Sequence, residues 1–191
     1  MKIVVLFGSP HKEGNTKKLL DVVIKRLNEM GHETETIYLY DKKIKPCLGC
    51  FACQKQKEGF GCVQNDDAQK IAEKILESDQ IIFATPIYSW FCTGVMKNLL
   101  DRIVFFMNKI YLGQKGTKMM KSKKISLVIT CGLEPKTSTD LFERGMMRFA
   151  IHCGMFYMGS VHIKCVGKPL TDENKKSAVK FADFIVKQDM Q

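Results

Sequence analysis

The segment PCLGCFACQKQKEGFGC sets Cys47, Cys50, Cys53 and Cys62 in the pattern C-x2-C-x2-C-x8-C. Three thiols this close can wrap one corner of a 4Fe-4S cluster, and a fourth further on can complete it. Zinc is a poorer match, because a structural zinc site usually pairs two separated knuckles. Reduced thiols in a covering loop and a redox disulfide are the remaining readings of the same residues. A second stretch able to do chemistry, GSPHKEGNT from Gly8, follows the apolar run Ile3 to Phe7. Ser9, Asn15 and Thr16 offer side-chain donors there, Gly14 lets the backbone come close, and His11 or Lys12 can add positive charge. A helix starting after such a loop presents unpaired N–H groups and the positive end of its dipole, a seat for a terminal phosphate. An ordinary strand-to-helix loop with a cap is the plainer reading. Neither the Gly-Lys-Ser/Thr of a Walker loop nor a GxGxxG fingerprint is present.

Two further stretches extend the site. In PIYSWFCTG, the aromatic residues Tyr88, Trp90 and Phe91 stand between a strand-like run and Gly94. They can clamp a planar heterocycle, or pack against a neighbouring subunit. In VITCGLEP, Thr130, Cys131 and Gly132 follow another apolar run.

The elements that must position these residues are legible from periodicity. Strands are expected at Lys2 to Phe7, Thr34 to Leu39, Gln80 to Thr85, Ile125 to Thr130 and Met155 to Val161. Helices are expected at Thr16 to Met30, Asp67 to Ser78, Thr93 to Met107, Ser138 to Cys153 and Thr171 to Gln188. Gly31 suits a left-handed stop after the first helix, and Asp66 or Asp67 can cap the second. Five strands alternating with five helices imply an α/β fold, a parallel sheet covered on both faces. Loops leaving the carboxyl ends of its strands then share one edge, where open α/β sheets bind ligands. Two connections are long. Residues 42–65 carry the four clustered cysteines. Residues 108–124 are dominated by lysines and read first as a solvated loop, secondly as the rim of a cofactor site or subunit interface.

Composition narrows the classes. The 191 residues, 45% hydrophobic, fit one compact domain without a linker or repeat. The apolar start is too short for a secretory leader, and no stretch reaches the roughly 18 apolar residues of a membrane span. A cytoplasmic protein with reduced thiols and no membrane attachment is expected, so its eight cysteines argue for metal, redox or buried roles before structural disulfides. The net charge of +10 favours an anionic partner. Nucleic acid is not expected as that partner, since the lysines are dispersed and no helix-turn-helix, zinc-finger or RNP signature occurs. Cys92, Cys153 and Cys165 read as small buried hydrophobes. His32, His152 and His162 have no ligand spacing.

The segments GSPHKEGNT, KPCLGCFACQKQ, CVQNDDAQKI, ATPIYSWFCTGVMKNLLDR and VITCG, in that order, resemble the flavodoxin-like NAD(P)H-dependent FMN reductases, close to the iron-sulfur flavoproteins. The resemblance spans nearly the whole chain. It implies a doubly wound five-stranded sheet of order 2-1-3-4-5 that binds FMN and uses NAD(P)H as cosubstrate. Ser9, His11, Asn15 and Thr16 then hold the FMN phosphate. Pro86, Ile87, Tyr88, Ser89 and Trp90 line the isoalloxazine, and Thr130, Cys131 and Gly132 close its other side. The family often has Arg where this chain has His11. The implied activity is transfer from a nicotinamide through FMN to a small-molecule acceptor such as a flavin or quinone, in a homodimer or homotetramer. The iron-sulfur relatives imply an alternative, an electron-transfer protein with FMN and a 4Fe-4S cluster on Cys47, Cys50, Cys53 and Cys62. A nucleotide- or phosphate-binding regulatory module is the third reading.

Overall fold

β-Branched and aliphatic residues run without interruption through the first and third strands because both lie in the middle of a sheet covered on each side. The computed structural model describes residues 1–56, 59–113, 115–165 and 167–187. Its strands are β1 (Lys2–Phe7), β2 (Glu33–Tyr38), β3 (Gln80–Pro86), β4 (Lys124–Cys131) and β5 (Phe156–Lys164). They form one parallel sheet in the order β2-β1-β3-β4-β5. In β2, at an edge, only Ile37 is buried. The helices are α1 (Asn15–Glu29), α2 (Ala68–Glu77), α3 (Gly94–Phe106), α4 (Pro135–Ser138), α5 (Asp140–Cys153) and α6 (Asp172–Lys187).

Alternation along each strand sorts the core into two layers. Val4, Leu6, Ile81, Phe83, Ile125, Leu127 and Ile129 pack under α2, α3 and α5. Ile3, Val5, Phe7, Ile82, Ala84 and Val128 face α1 and α6. Both faces of the sheet are therefore covered, as the doubly wound flavodoxin-like fold requires.

The expected fold and strand order are found, with local differences. The single helix expected over residues 138–153 is two: Pro135 opens the turn α4, and Thr139 separates it from α5, its hydroxyl donating to the Pro135 carbonyl at 2.9 Å. β5 runs to Lys164 and carries a bulge opposite the 125–127 stretch, taken up by Gly159 at φ 107°. Gly31 ends α1 at φ 81°, as expected. Of the two candidate caps for α2, Asp66 is the one that accepts from the Ala68 N–H, at 3.1 Å, while Asp67 accepts from the Lys43 N–H. Gln188, the expected end of the last helix, lies outside the described residues.

The lysine-rich connection 108–124 does not border the edge expected of it. α3 carries the chain away from the carboxyl ends of the strands, and the connection closes against their amino ends, with the Lys124 N–H donating to the Asp79 carbonyl. Nor is it wholly solvated. Lys109 is buried and its Nζ donates to the Cys53 carbonyl, while Lys123 Nζ donates to the Leu76 and Ser78 carbonyls.

Candidate cofactor-binding site

The sheet order reverses between β1 and β3, and the loops leaving β1, β3 and β4 meet at this switch point. Hydrogen bonds stitch them together. The Gly8 N–H donates to the Ala84 carbonyl at 2.8 Å, and Thr93 Oγ1 donates to the Gly8 carbonyl at 2.6 Å, which joins the first loop to the third. The Thr16 and Thr130 hydroxyls are 2.7 Å apart, joining the first loop to the end of β4. The Ile87 N–H donates to the Thr130 carbonyl at 2.8 Å, joining the third loop to the fourth. A Cβ on Gly8 would stand 2.8 Å from Met96 Cε and 3.1 Å from Thr93 Oγ1, so a glycine is needed for this close approach.

The first loop leads into α1 through Gly14, which has extended geometry (φ −76°, ψ 177°) and gives the helix no side-chain cap. The first-turn N–H groups therefore depend on water or a ligand, the arrangement that favours an anion. Three of the expected phosphate donors have partners within the protein. Ser9 is buried and its Oγ accepts from the His11 N–H at 3.2 Å. Thr16 is buried against Thr130. Asn15 Nδ2 donates to the carbonyls of Cys165 (3.3 Å) and Lys168 (2.8 Å), tying the loop after β5 to the head of α1. His11 is exposed. Lys12 is engaged elsewhere, its Nζ 2.5 Å from Asp41 and 5.3 Å from the Tyr38 ring centre. The Gly14 N–H donates to the His11 carbonyl at 3.1 Å, so the N–H groups of Asn15 to Lys17 and the exposed His11 ring are the groups left at this site for an anion.

The aromatic loop is a tight reverse turn. Tyr88 and Phe91 exchange both backbone hydrogen bonds (2.9 and 3.1 Å) around Ser89 and Trp90, whose φ angles are +50° and +67°. Two consecutive positive φ values define the turn type that normally takes Asn-Gly. Strain of about 1–3 kcal/mol at such a residue persists where the surroundings impose it, commonly at ligand sites. The turn holds Trp90 51% exposed, with Tyr88 and Phe91 alongside. Replacing the pair by its preferred residues, Ser89→Asn with Trp90→Gly, is expected to raise stability by about 1 kcal/mol. Thermal unfolding checks this.

Opposite this turn, burial pushes the Cys131 thiol up to about 11. It remains protonated and donates to the Leu133 and Ile163 carbonyls. Cys92, just after the aromatic turn, is raised further by burial, to about 12. Neither is a nucleophile at neutral pH. Pro86 pairs with Thr130 across the sheet and Ile87 bonds to its carbonyl, so both join the rim through their backbone, and Gly132 directly follows β4.

The four clustered cysteines are placed elsewhere. Cys47, Cys50, Cys53 and Cys62 line one small apolar cavity with Phe51, Arg102, Phe105 and Phe106, at the far end of α3. From Gly94 to Phe105 the helix advances about 16 Å, at about 1.5 Å per residue, so the two sites stand at opposite ends of α3. Gly49 (φ 63°) and Phe51 (φ 54°) are left-handed and coil the loop around the cavity, and Gln54 Nε2 anchors it to the Phe105 and Asn108 carbonyls. All eight cysteines are free. Among the described residues no group of three His, Cys, Asp or Glu is arranged to hold a single metal ion. A cube of iron and sulfide spreads its ligands wider than one ion does, and thiolate-only donors around an apolar cavity suit it. The residues present fit such a cluster. Sequence reasoning missed two participants, Arg102 and Asp66, because no motif links a residue of CVQNDDA to one on α3.

An open α/β sheet with an uncapped helix start at its switch point defines a class of flavodoxin-like proteins. The chain belongs, within that class, to the NADPH-dependent FMN reductase family, whose pattern it matches over residues 1–164. It is 38% identical over 133 residues to an iron-sulfur flavoprotein from Archaeoglobus fulgidus, covering 70% of this chain and 60% of that one. An iron-sulfur flavoprotein from Methanosarcina thermophila is 36% identical over 109 residues, covering 57% of this chain and 56% of that one. The alignments thus span only about half to three-fifths of these relatives. An NAD(P)H:quinone oxidoreductase from Methanothermobacter marburgensis superposes with a TM-score of 0.72 at 16% identity, over 100% of this chain and 98% of that one, which shows the shared fold.

Proposed function

We propose that this protein is an FMN-dependent NAD(P)H oxidoreductase built as one FMN-binding domain over residues 1–191. The observation that carries the reading is the stitched rim of three strand-end loops around the uncapped start of α1, in a chain of this family. When bound, FMN supplies the hydride and electron chemistry between nicotinamide and a small acceptor, so the protein needs no nucleophile of its own. The N–H groups opening α1 and the His11 ring hold the phosphate, with Ser9, Asn15 and Thr16 fixing the loop that presents them. Residues Pro86 to Trp90 line one side of the ring, and Thr130, Cys131 and Gly132 the other.

Tyr88, Trp90 and Phe91 form a large exposed apolar surface, which supports completion of the site by a second copy in a homodimer or homotetramer. Among the described residues no helix is long and apolar enough to cross a membrane. The free thiols support a reducing, cytoplasmic setting. Purified protein is expected to carry one FMN per chain, read from the flavin absorption released on denaturation. A protein purified without flavin that fails to take up added FMN would remove this reading.

A second reading is favoured by the cysteine cavity. Four thiols around one apolar space support a 4Fe-4S cluster and a role in one-electron transfer to or from the flavin. Iron and sulfide content after anaerobic preparation distinguishes this from a covering loop of reduced thiols.

A further inference from the structure

Arg102 is an unusual residue to find fully enclosed in the C-terminal half of α3. Its side chain and that of Asp66 are each 1% exposed. Nη1 lies 2.7 Å from Asp66 Oδ2 and Nη2 3.0 Å from Oδ1, a two-pronged pair, and Nη1 also donates to the Lys45 carbonyl at 3.0 Å. Asp66 is held in turn by the N–H groups of Lys45 (3.0 Å) and Ala68 (3.1 Å). The plane of the guanidinium is therefore fixed from one side.

A guanidinium has five N–H donors. Three are engaged by Asp66 and Lys45, and those left are Nε–H and the second proton of Nη2, which share one edge of the plane. Nε is buried and has no hydrogen-bond partner among the described residues. An unmade hydrogen bond on a buried charged group is costly, so such an edge implies an acceptor. Arg102 lines the same cavity as the four cysteines, and Cys62 is its neighbour there. Besides the thiol sulfurs, the cavity is lined by aromatic and aliphatic carbon and by the Gln64 amide, whose Nε2 donates to the Pro46 carbonyl.

We propose that the open edge of Arg102 donates to sulfur in this cavity, to the Cys62 thiolate and the sulfide of a bound 4Fe-4S cluster, with Asp66 as the positioning residue that aims it. The inference rests on the cluster reading. Its consequence is electrostatic: a fixed positive donor at the sulfurs stabilises the more negative, reduced form and raises the reduction potential. Without it, the same four ligands would hold a cluster that is harder to reduce.

Reconstituted full-length protein, loaded anaerobically with ferrous iron and sulfide, is titrated with a dithionite-mediator series and followed by electron paramagnetic resonance. The variants are Arg102→Met with Asp66→Asn, which removes both charges together, and Arg102→Lys, which keeps the positive charge and removes the fork. Iron per chain and FMN occupancy are matched to wild type beforehand. The double variant is expected to shift the one-electron equilibrium about tenfold toward the oxidised cluster, 59 mV lower, with Arg102→Lys shifted in the same direction by less. Should the double variant not fold, Arg102→Lys alone decides. Equal potentials at equal iron content, with only thermal stability changed, would show that the pair is structural and overturn the role of Arg102. A wild-type protein that retains no iron would instead overturn the cluster reading on which it rests.

Discussion

Asp66→Ala is expected to lower the free energy of unfolding by about 3–5 kcal/mol, the range seen when one partner of a buried ion pair is removed. The cost arises because Arg102 stays behind, buried without its counter-charge. Paired removal, Arg102→Met with Asp66→Asn, should cost less than Asp66→Ala alone, since it leaves no uncompensated charge. The pair also gives stability a pH dependence of definite sign. Burial alone would push the Asp66 carboxyl up, but the Arg102 fork and the N–H groups of Lys45 and Ala68 outweigh it and hold it below the usual carboxylate range. Its contribution is therefore complete above the unfolded value of about 3.9 and is lost as pH falls through the lower folded value. Urea unfolding at pH 7 should separate wild type from Asp66→Ala fully, and the gap should narrow in acid below pH about 3.9.

Gly14→Asp is expected to affect the two functions of the α1 terminus in opposite directions. Gly14 occupies the cap position in an extended conformation open to any residue, and an added Cβ would meet His11 Cβ at 3.0 Å and the His11 carbonyl oxygen at 3.3 Å, so the exposed 11–14 turn must shift by a few tenths of an ångström to take it. Aspartate there is a strong helix cap and should stabilise the flavin-free protein by a few tenths of a kcal/mol. Its carboxylate would occupy the N–H groups assigned to the FMN phosphate and place a negative charge beside it. FMN affinity should fall at least tenfold, about 1.4 kcal/mol. Fluorescence titration of the apoprotein measures the affinity and thermal unfolding measures the cap. Unchanged FMN affinity in a stabilised variant would remove the phosphate from this helix.

Runs such as KIVVLF and QIIFATP identify central strands because burial on both faces needs apolar residues at every position. Helical spacing in α2, with Ala68, Ile71, Ala72 and Ile75 buried along one side, identifies its core face. The fold class was therefore readable from the pattern, whereas the strand order came with the family resemblance. The distribution of side-chain partners was not readable. Asn15 and Lys168 are 153 residues apart, yet the amide of one is engaged by the carbonyl of the other. The turn at Ser89 and Trp90 lacks the Asn-Gly signature of its type, so neither the turn nor its strain was announced by composition. Lysines in the 108–124 connection suggested a solvated loop or a cofactor rim, whereas Lys109 is buried and joined to the cysteine loop at the other end of α3. The cysteine spacing did locate a real cavity, but its cationic wall comes from a helix about 40 residues on in sequence.

The central claim is that the edge of the sheet bearing Trp90 brings a nicotinamide onto bound FMN. Anaerobic stopped-flow mixing of the FMN-loaded protein with NADPH and, separately, NADH tests it without any added acceptor. Transfer requires the two rings stacked with the reacting atoms aligned at about 3–3.5 Å, so at least one nucleotide should bleach the flavin absorption, and Trp90→Ala should slow that bleaching more than it weakens FMN binding. Flavin that stays oxidised with both nucleotides, yet is reduced by dithionite or a reduced ferredoxin, would contradict the reductase and leave an electron carrier in its place.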